Sequence, residues 1–128
     1  MGFDFKKYYD VGTHLKNHST DEAYQRSSIS RYYYSIFYPV KDYYEKSFRK
    51  TLSSKESHRK LIDALEHSPF KEENILGGKL RILRNYRNHS DYRNAHLKKT
   101  QIRTSKDKTD EILSLLEYLT KNPLRRMN

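Results

Sequence analysis

The run Asp21-EAYQRSSISRYYYSIFYPVKDYYEKS-Phe48 decides the fold. Within it Ile29, Tyr33, Phe37, Val40, Tyr44 and Phe48 follow at spacings of four, four, three, four and four, the pattern of one buried stripe on a long helix. Thr20 or Asp21 caps its start, and Glu22 lies in the first turn, where the helix dipole favours negative charge. Pro39 has no amide hydrogen and crowds the preceding turn, so a kink is expected there.

Outward from this helix the chain reads as helical on both sides. A first helix is expected over about Asp4 to Lys16. Ser53 and Ser54 open a third, with Leu61, Ile62 and Leu65 inward, which stops at Ser68-Pro69. The fourth follows Pro69, and its stripe through Leu76, Leu80, Leu83 and Arg87 gives way to polar residues as it enters Arg84 to Tyr92. Arg93 to Ser105 lacks periodicity and is rich in Lys, Thr and Asn, which predicts a mobile basic loop. A last helix carries Ile112, Leu115, Leu116 and Leu119 before Asn122-Pro123. The expected architecture is an all-α, up-and-down bundle of four to five helices, a single domain over residues 1–128. Its 12 Tyr and 5 Phe supply bulk that a hydrophobic fraction of 34% would otherwise lack. Their hydroxyls make the core polar-edged, which suits a surface shared with a second subunit.

The net charge of +10 is concentrated. Between Gly78 and Lys108 stand ten Lys and Arg against two acids, Asp91 and Asp107, while the rest of the chain is nearly neutral. A polyanion is the natural partner of such a segment, and the alternative is a solvated basic face. With no cysteine there is no thiolate metal site, disulfide framework or thiol nucleophile. The charged start MGFDFKKYYD does not read as a secretory signal, and no apolar run is long enough to span a membrane, so a soluble cytoplasmic protein is expected.

The chemistry is concentrated in Leu80-RILRNYRNHSD-Tyr92. Arg84 and His89 lie about 140° apart on a regular helix, whereas Asn85 and His89 share a face. His89 can exchange a proton near neutral pH, Arg84 can stabilise charge on a phosphorane, and Asn85 can orient either. RNA supplies its own nucleophile, the 2′-hydroxyl, so the set suffices for cleavage with neither cofactor nor metal. Arg87, Tyr92, Arg93, Lys98, Lys99 and Arg103 are the candidate RNA-binding residues, since aromatics beside cations stack on unpaired bases. His14 and His18, one helical turn apart, would make half a metal site but read better as surface histidines. Gly77-Gly78 lacks the residues that complete a phosphate loop and is expected to permit close helix packing or a bend. In Tyr32-Tyr33-Tyr34 the middle residue is core, and its neighbours are expected to be dimer or partner contacts, with base stacking as the alternative.

The segment Ser27-SISRYYYSIFY-Pro39 resembles the Ser-Arg-x-Tyr-Tyr-Ala core-helix motif of HEPN domains, at Ser30, Arg31, Tyr33 and Tyr34, with Ser35 in place of alanine. Ser57-His58 and the Leu-x-x-Leu-Arg-Asn-x-x-x-His run from Leu80 to His89 follow in that family's order, and the resemblance covers about Ala23 to Leu119. It implies a HEPN-like helical fold, with Arg84, Asn85 and His89 matching the Arg-polar-x-x-x-His signature that the family's ribonucleases use across a homodimer. It further implies an endoribonuclease toxin or defence effector acting on RNA, controlled by a nucleotidyltransferase-type antitoxin or another regulatory protein. In the toxin branch a tyrosine sits two residues after the histidine, where this chain has Asp91 and then Tyr92. Arg87-NHSD-Tyr92 is also similar to the Arg-Asn-x-Ala-Asp-Tyr run of HEPN proteins not generally assigned catalysis. Two other readings therefore stand beside the nuclease: a non-catalytic helper binding a nucleotide or a nucleotidyltransferase, and a basic nucleic-acid-binding adaptor.

Overall fold

A computed structural model describes residues 4–53, 55–92 and 97–125, with the side chains of Asp91, Tyr92 and Lys99 outside that description. Among the described residues the chain is an all-helical bundle with no strand: α1 Lys6–His18, α2 Glu22–Phe48, α3 Ser57–Glu66, α4 Lys71–Tyr92 and α5 Lys99–Lys121. The long second helix is the hub. α1, α4 and α5 all pack on it, and α3 packs chiefly on α4.

The stripe on α2 is buried as its spacing requires: Ile29, Tyr33, Phe37, Val40 and Tyr44 face inward, and Phe48 is half-buried against the same core. Leu61, Ile62 and Leu65 of α3 meet it, as do Leu76, Leu80 and Leu83 of α4 and Ile112, Leu116 and Leu119 of α5. Asp21 is the cap, its carboxylate accepting the Ala23 amide at 3.0 Å. Pro39 does not end α2, which continues to Phe48 and closes with Arg49 in the left-handed region at φ 56°.

Three expectations are corrected. α1 starts two residues later than expected and runs to His18. α3 opens at Ser57, after Glu56 in the left-handed region at φ 61°, rather than at Ser53. Most consequentially, the expected basic loop is helical from Lys99 onward. Ile102, Ser105, Thr109, Ile112, Leu116 and Leu119 form one buried stripe at spacings of three, four, three, four and three. Two of its members are hydroxyl residues whose Oγ atoms donate to the carbonyls four residues back, Ser105 to Gln101 at 2.7 Å and Thr109 to Ser105 at 2.7 Å. A side chain satisfied within its own helix can be buried without an apolar signature.

Tyr32 is also corrected. It is fully buried, its hydroxyl hydrogen-bonded to Thr13 at 2.8 Å, so it joins α2 to α1 rather than meeting a partner. Gly12 makes that approach possible, since a Cβ there would lie 3.1 Å from the Tyr32 ring.

Candidate functional site

α4 stays helical through the candidate site, so the geometry follows from the helical repeat. Arg84 lies four residues after buried Leu80 and one after buried Leu83, and its charge reaches Tyr33 of α2 and His58 of α3. Its Nε is buried and among the described residues has no hydrogen-bond partner. Asn85 is exposed and His89 half-buried, on the outer side of α4. The Nε2 of His89 is likewise buried without a partner among the described residues. Among the described residues no hydrogen bond joins Arg84, Asn85 and His89 side chain to side chain, so one copy of the chain does not itself close the three into a network.

Asn85 and His89 continue an outer stripe along α4. Ile75, Gly78, Ile82, Asn85 and His89 follow at three, four, three and four, with Ile75 and Ile82 41% and 37% exposed. A Cβ built at Gly78 would meet nothing within 4 Å. Two apolar residues, open space and the Asn/His pair thus occupy one helix face with the spacing of a helix–helix seam.

The inner side of Arg84 faces a cluster that the sequence reading did not assign. The hydroxyl of buried Tyr33 lies 2.6 Å from Nδ1 of His58, at the start of α3. The imidazole stacks on Phe37 with centroids 3.8 Å apart and planes 14° apart. Arg87 lies over Tyr34 at 5.0 Å and over Tyr33 at 5.8 Å, so this candidate RNA contact is engaged with tyrosine faces. Burial, then the charges of Arg87, Arg84 and Lys41, lower the His58 pKa to about 4, which keeps the ring neutral. Burial raises the Tyr33 hydroxyl above its ordinary value, against the pull of Arg84 and Arg87. In the sequence His58 is marked only by the order of Ser57-His58 in the resemblance and by its place before the Leu61-Ile62 pair, and neither says which tyrosine it meets.

At the end of α4, Arg26 of α2 donates to the carbonyls of His89 at 3.2 Å and Ser90 at 2.8 Å. A cation there complements the negative end of the helix dipole and holds the turn that carries His89. Glu22 pairs with Arg26 at 3.2 Å and accepts the Leu97 amide at 2.7 Å, so the start of α2 clamps both ends of the α4–α5 connection.

Of the other candidate contacts, Lys98 and Arg103 are exposed at the start of α5, whereas the side chains of Tyr92 and Lys99 and all of Arg93 lie outside the described residues. The basic segment is partly neutralised within the bundle. Lys79 pairs with Glu111, Arg81 with Asp63 and Glu66, Lys106 with Asp110 and Lys108 with Glu111. His14 and His18 stack on each other at 5.5 Å, and among the described residues no third metal-ligating side chain joins them.

No family model, curated protein or solved structure matches the chain. Among the described residues no helix is long and apolar enough to cross a membrane. The site must therefore be read from its own chemistry.

Proposed function

We propose that this chain is a HEPN-type, metal-independent endoribonuclease, a toxin or defence effector that cuts RNA with Arg84, Asn85 and His89 of two copies. The observation that carries this reading is a pair of buried nitrogens without a partner among the described residues, Arg84 Nε and His89 Nε2, five residues apart on one helix. Buried polar atoms are almost always satisfied, and an orphan pair capable of phosphate chemistry marks a place where substrate or a second subunit completes the site. The outer α4 stripe from Ile75 to His89 supplies the seam for a symmetric dimer, which brings two histidines to one cleft. The resemblance in the tyrosine-rich helix and in the Arg84-to-His89 run supports the same assignment.

In this mechanism one His89 removes the proton of the RNA 2′-hydroxyl, whose oxygen attacks the adjacent phosphorus. The second His89, protonated, gives its proton to the departing 5′-oxygen. Arg84, on the flank of α4 between its α3 side and its outer face, stabilises the negative charge of the phosphorane, and Asn85 orients the imidazole. The products are a 2′,3′-cyclic phosphate and a 5′-hydroxyl.

Cleavage is expected to persist in EDTA and to leave a cyclic or 3′-phosphate end. His89→Ala and Arg84→Ala should each reduce it at least ~100-fold with helical circular dichroism unchanged, and Arg87→Ala should do less. Activity only with added divalent metal, or a chain that needs Arg87 and not Arg84, would sink the assignment. Mixing the two inactive variants should restore part of the activity if the groups act across the dimer.

A further inference from the structure

A histidine outside the Arg84/Asn85/His89 set is built to present a single hydrogen-bond donor. Tyr33 is fully buried, and among the described residues its hydroxyl has one partner, Nδ1 of His58 at 2.6 Å. A buried phenol without another acceptor must donate that bond, because an O–H left unpaired is costly. Nδ1 is therefore the acceptor, and the neutral ring carries its hydrogen on Nε2. Stacking on Phe37 at 3.8 Å and on Tyr33 at 5.5 Å fixes the plane of the imidazole. The ring thus has one tautomer and one orientation before any ligand arrives.

The surroundings select an anion. Arg87 of α4 lies 5.8 Å over the Tyr33 ring on which His58 stacks, and the charges of Arg87, of Arg84 one turn earlier and of Lys41 bear on the imidazole. Among the described residues no carboxylate acts on the ring. Arg84 brings a buried Nε–H without an acceptor among the described residues. Two uncommitted N–H donors, one neutral and locked and the other cationic, suit the non-bridging oxygens of a phosphodiester.

We propose that His58, held by Tyr33 and Phe37, forms with Arg84 a phosphate-binding site on the α2–α3–α4 side, engaging a phosphodiester of the RNA substrate. This extends the ribonuclease reading above and shares its substrate. His58 binds phosphate as a neutral donor while His89 moves protons, so the two histidines have separate roles. Tyr33 is a positioning residue, setting which nitrogen bears the hydrogen.

The test uses the full chain, with inorganic phosphate and a fully 2′-O-methylated oligoribonucleotide that cannot be cleaved. In the free protein, nitrogen-15 spectra should show His58 protonated at Nε2 and accepting at Nδ1, and Tyr33→Phe should mix the two tautomers. Both probes should shift the His58 Nε2 signal. His58→Phe, which preserves stacking but has no N–H, should weaken oligonucleotide binding about 10-fold, and His58→Gln, which keeps a donor, should recover most of it. On a cleavable RNA the His58→Phe loss should fall mainly on KM. If neither probe moves the His58 signal, or if the Phe variant binds the oligonucleotide like the parent, the site is overturned. Both readouts are independent of cleavage: phosphate at His58 in a protein that cuts nothing would uphold this site and overturn the nuclease, and cutting with His58 unmoved would do the reverse.

Discussion

Glu73 is a fully buried carboxylate held by three side chains. Arg125 donates to both oxygens at 2.6 and 2.7 Å, Tyr43 donates at 2.6 Å, and Ser68 at 2.5 Å. Arg125 itself lies over Phe48 at 4.0 Å and Phe70 at 4.8 Å, so the guanidinium is paired, stacked and shielded together. Burial opposes ionisation of Glu73, but the bonds from Arg125, Ser68 and Tyr43 outweigh it and hold the carboxyl below its ordinary range. Burial, and then the bond to Glu73, push the Tyr43 hydroxyl up to about 12. A depressed carboxylate pKa stabilises the fold at pH values above its unfolded value, roughly 4.3, and that stabilisation is lost as pH falls through the folded value. Glu73→Gln should lower the unfolding free energy at pH 7 by on the order of 3 kcal/mol, because it strands the Arg125 charge. It should also flatten the loss of stability below about pH 4. Urea unfolding at the two pH values checks both, and a variant as stable as the parent would show that the Glu73–Arg125 pair does not stabilise the bundle. No local pattern announces this pair, whose members stand 52 residues apart, the second in a tail with no periodicity of its own.

At the scale of the element, α4 has two adjacent glycines with opposite jobs. A Cβ at Gly77 would lie 2.9 Å from Leu65 Cβ and 3.0 Å from the Glu66 amide, so this residue lets α3 and α4 touch. The Cβ of Gly78 would meet nothing within 4 Å. Gly77→Ala should therefore destabilise by about 1–3 kcal/mol through overpacking. Gly78→Ala should raise the helix's own stability by roughly 0.5–1 kcal/mol while lowering the dimer fraction, if the outer stripe is the seam. Thermal unfolding and light scattering separate the two effects, and unchanged assembly in Gly78→Ala would discard this face as the interface. The sequence pattern exposes the helices whose stripes are aliphatic or aromatic: α2 through Ile29 to Phe48, and α4 through Leu76 to Leu83. It conceals the first turns of α5, because Ser105 and Thr109 bond within their own helix and leave no apolar period. Arg84, Asn85 and His89 could be proposed from type and spacing alone. The Tyr33–His58 contact could not, since it depends on how α3 is set against α2.

For the whole molecule, the relevant quantity is not the charge of the Gly78-to-Lys108 segment but the part of it the bundle leaves unneutralised. Lys79, Arg81, Lys106 and Lys108 are paired with acids of α3 and α5. Among the described residues, Lys98 and Arg103 make no ion pair and stand exposed at one end of α5. If RNA runs over that end, Lys98, Arg103 and the neighbouring Lys99 release counterions on binding, about 0.7 per contact on a single strand. Replacing all three with alanine should flatten the plot of log affinity against log salt by about 2 and weaken every sequence alike, because phosphate contacts position RNA without reading it. Lys79→Ala with Lys108→Ala removes two equally basic side chains that share the single carboxylate of Glu111, so the slope should change by about 0.7 at most. Affinity titrations of the parent and both variants, from low to high salt, provide the comparison. Equal slopes in parent and triple variant would mean that RNA does not cross this end of α5, and a slope altered only by the Lys79/Lys108 pair would move the track to the α4–α5 face.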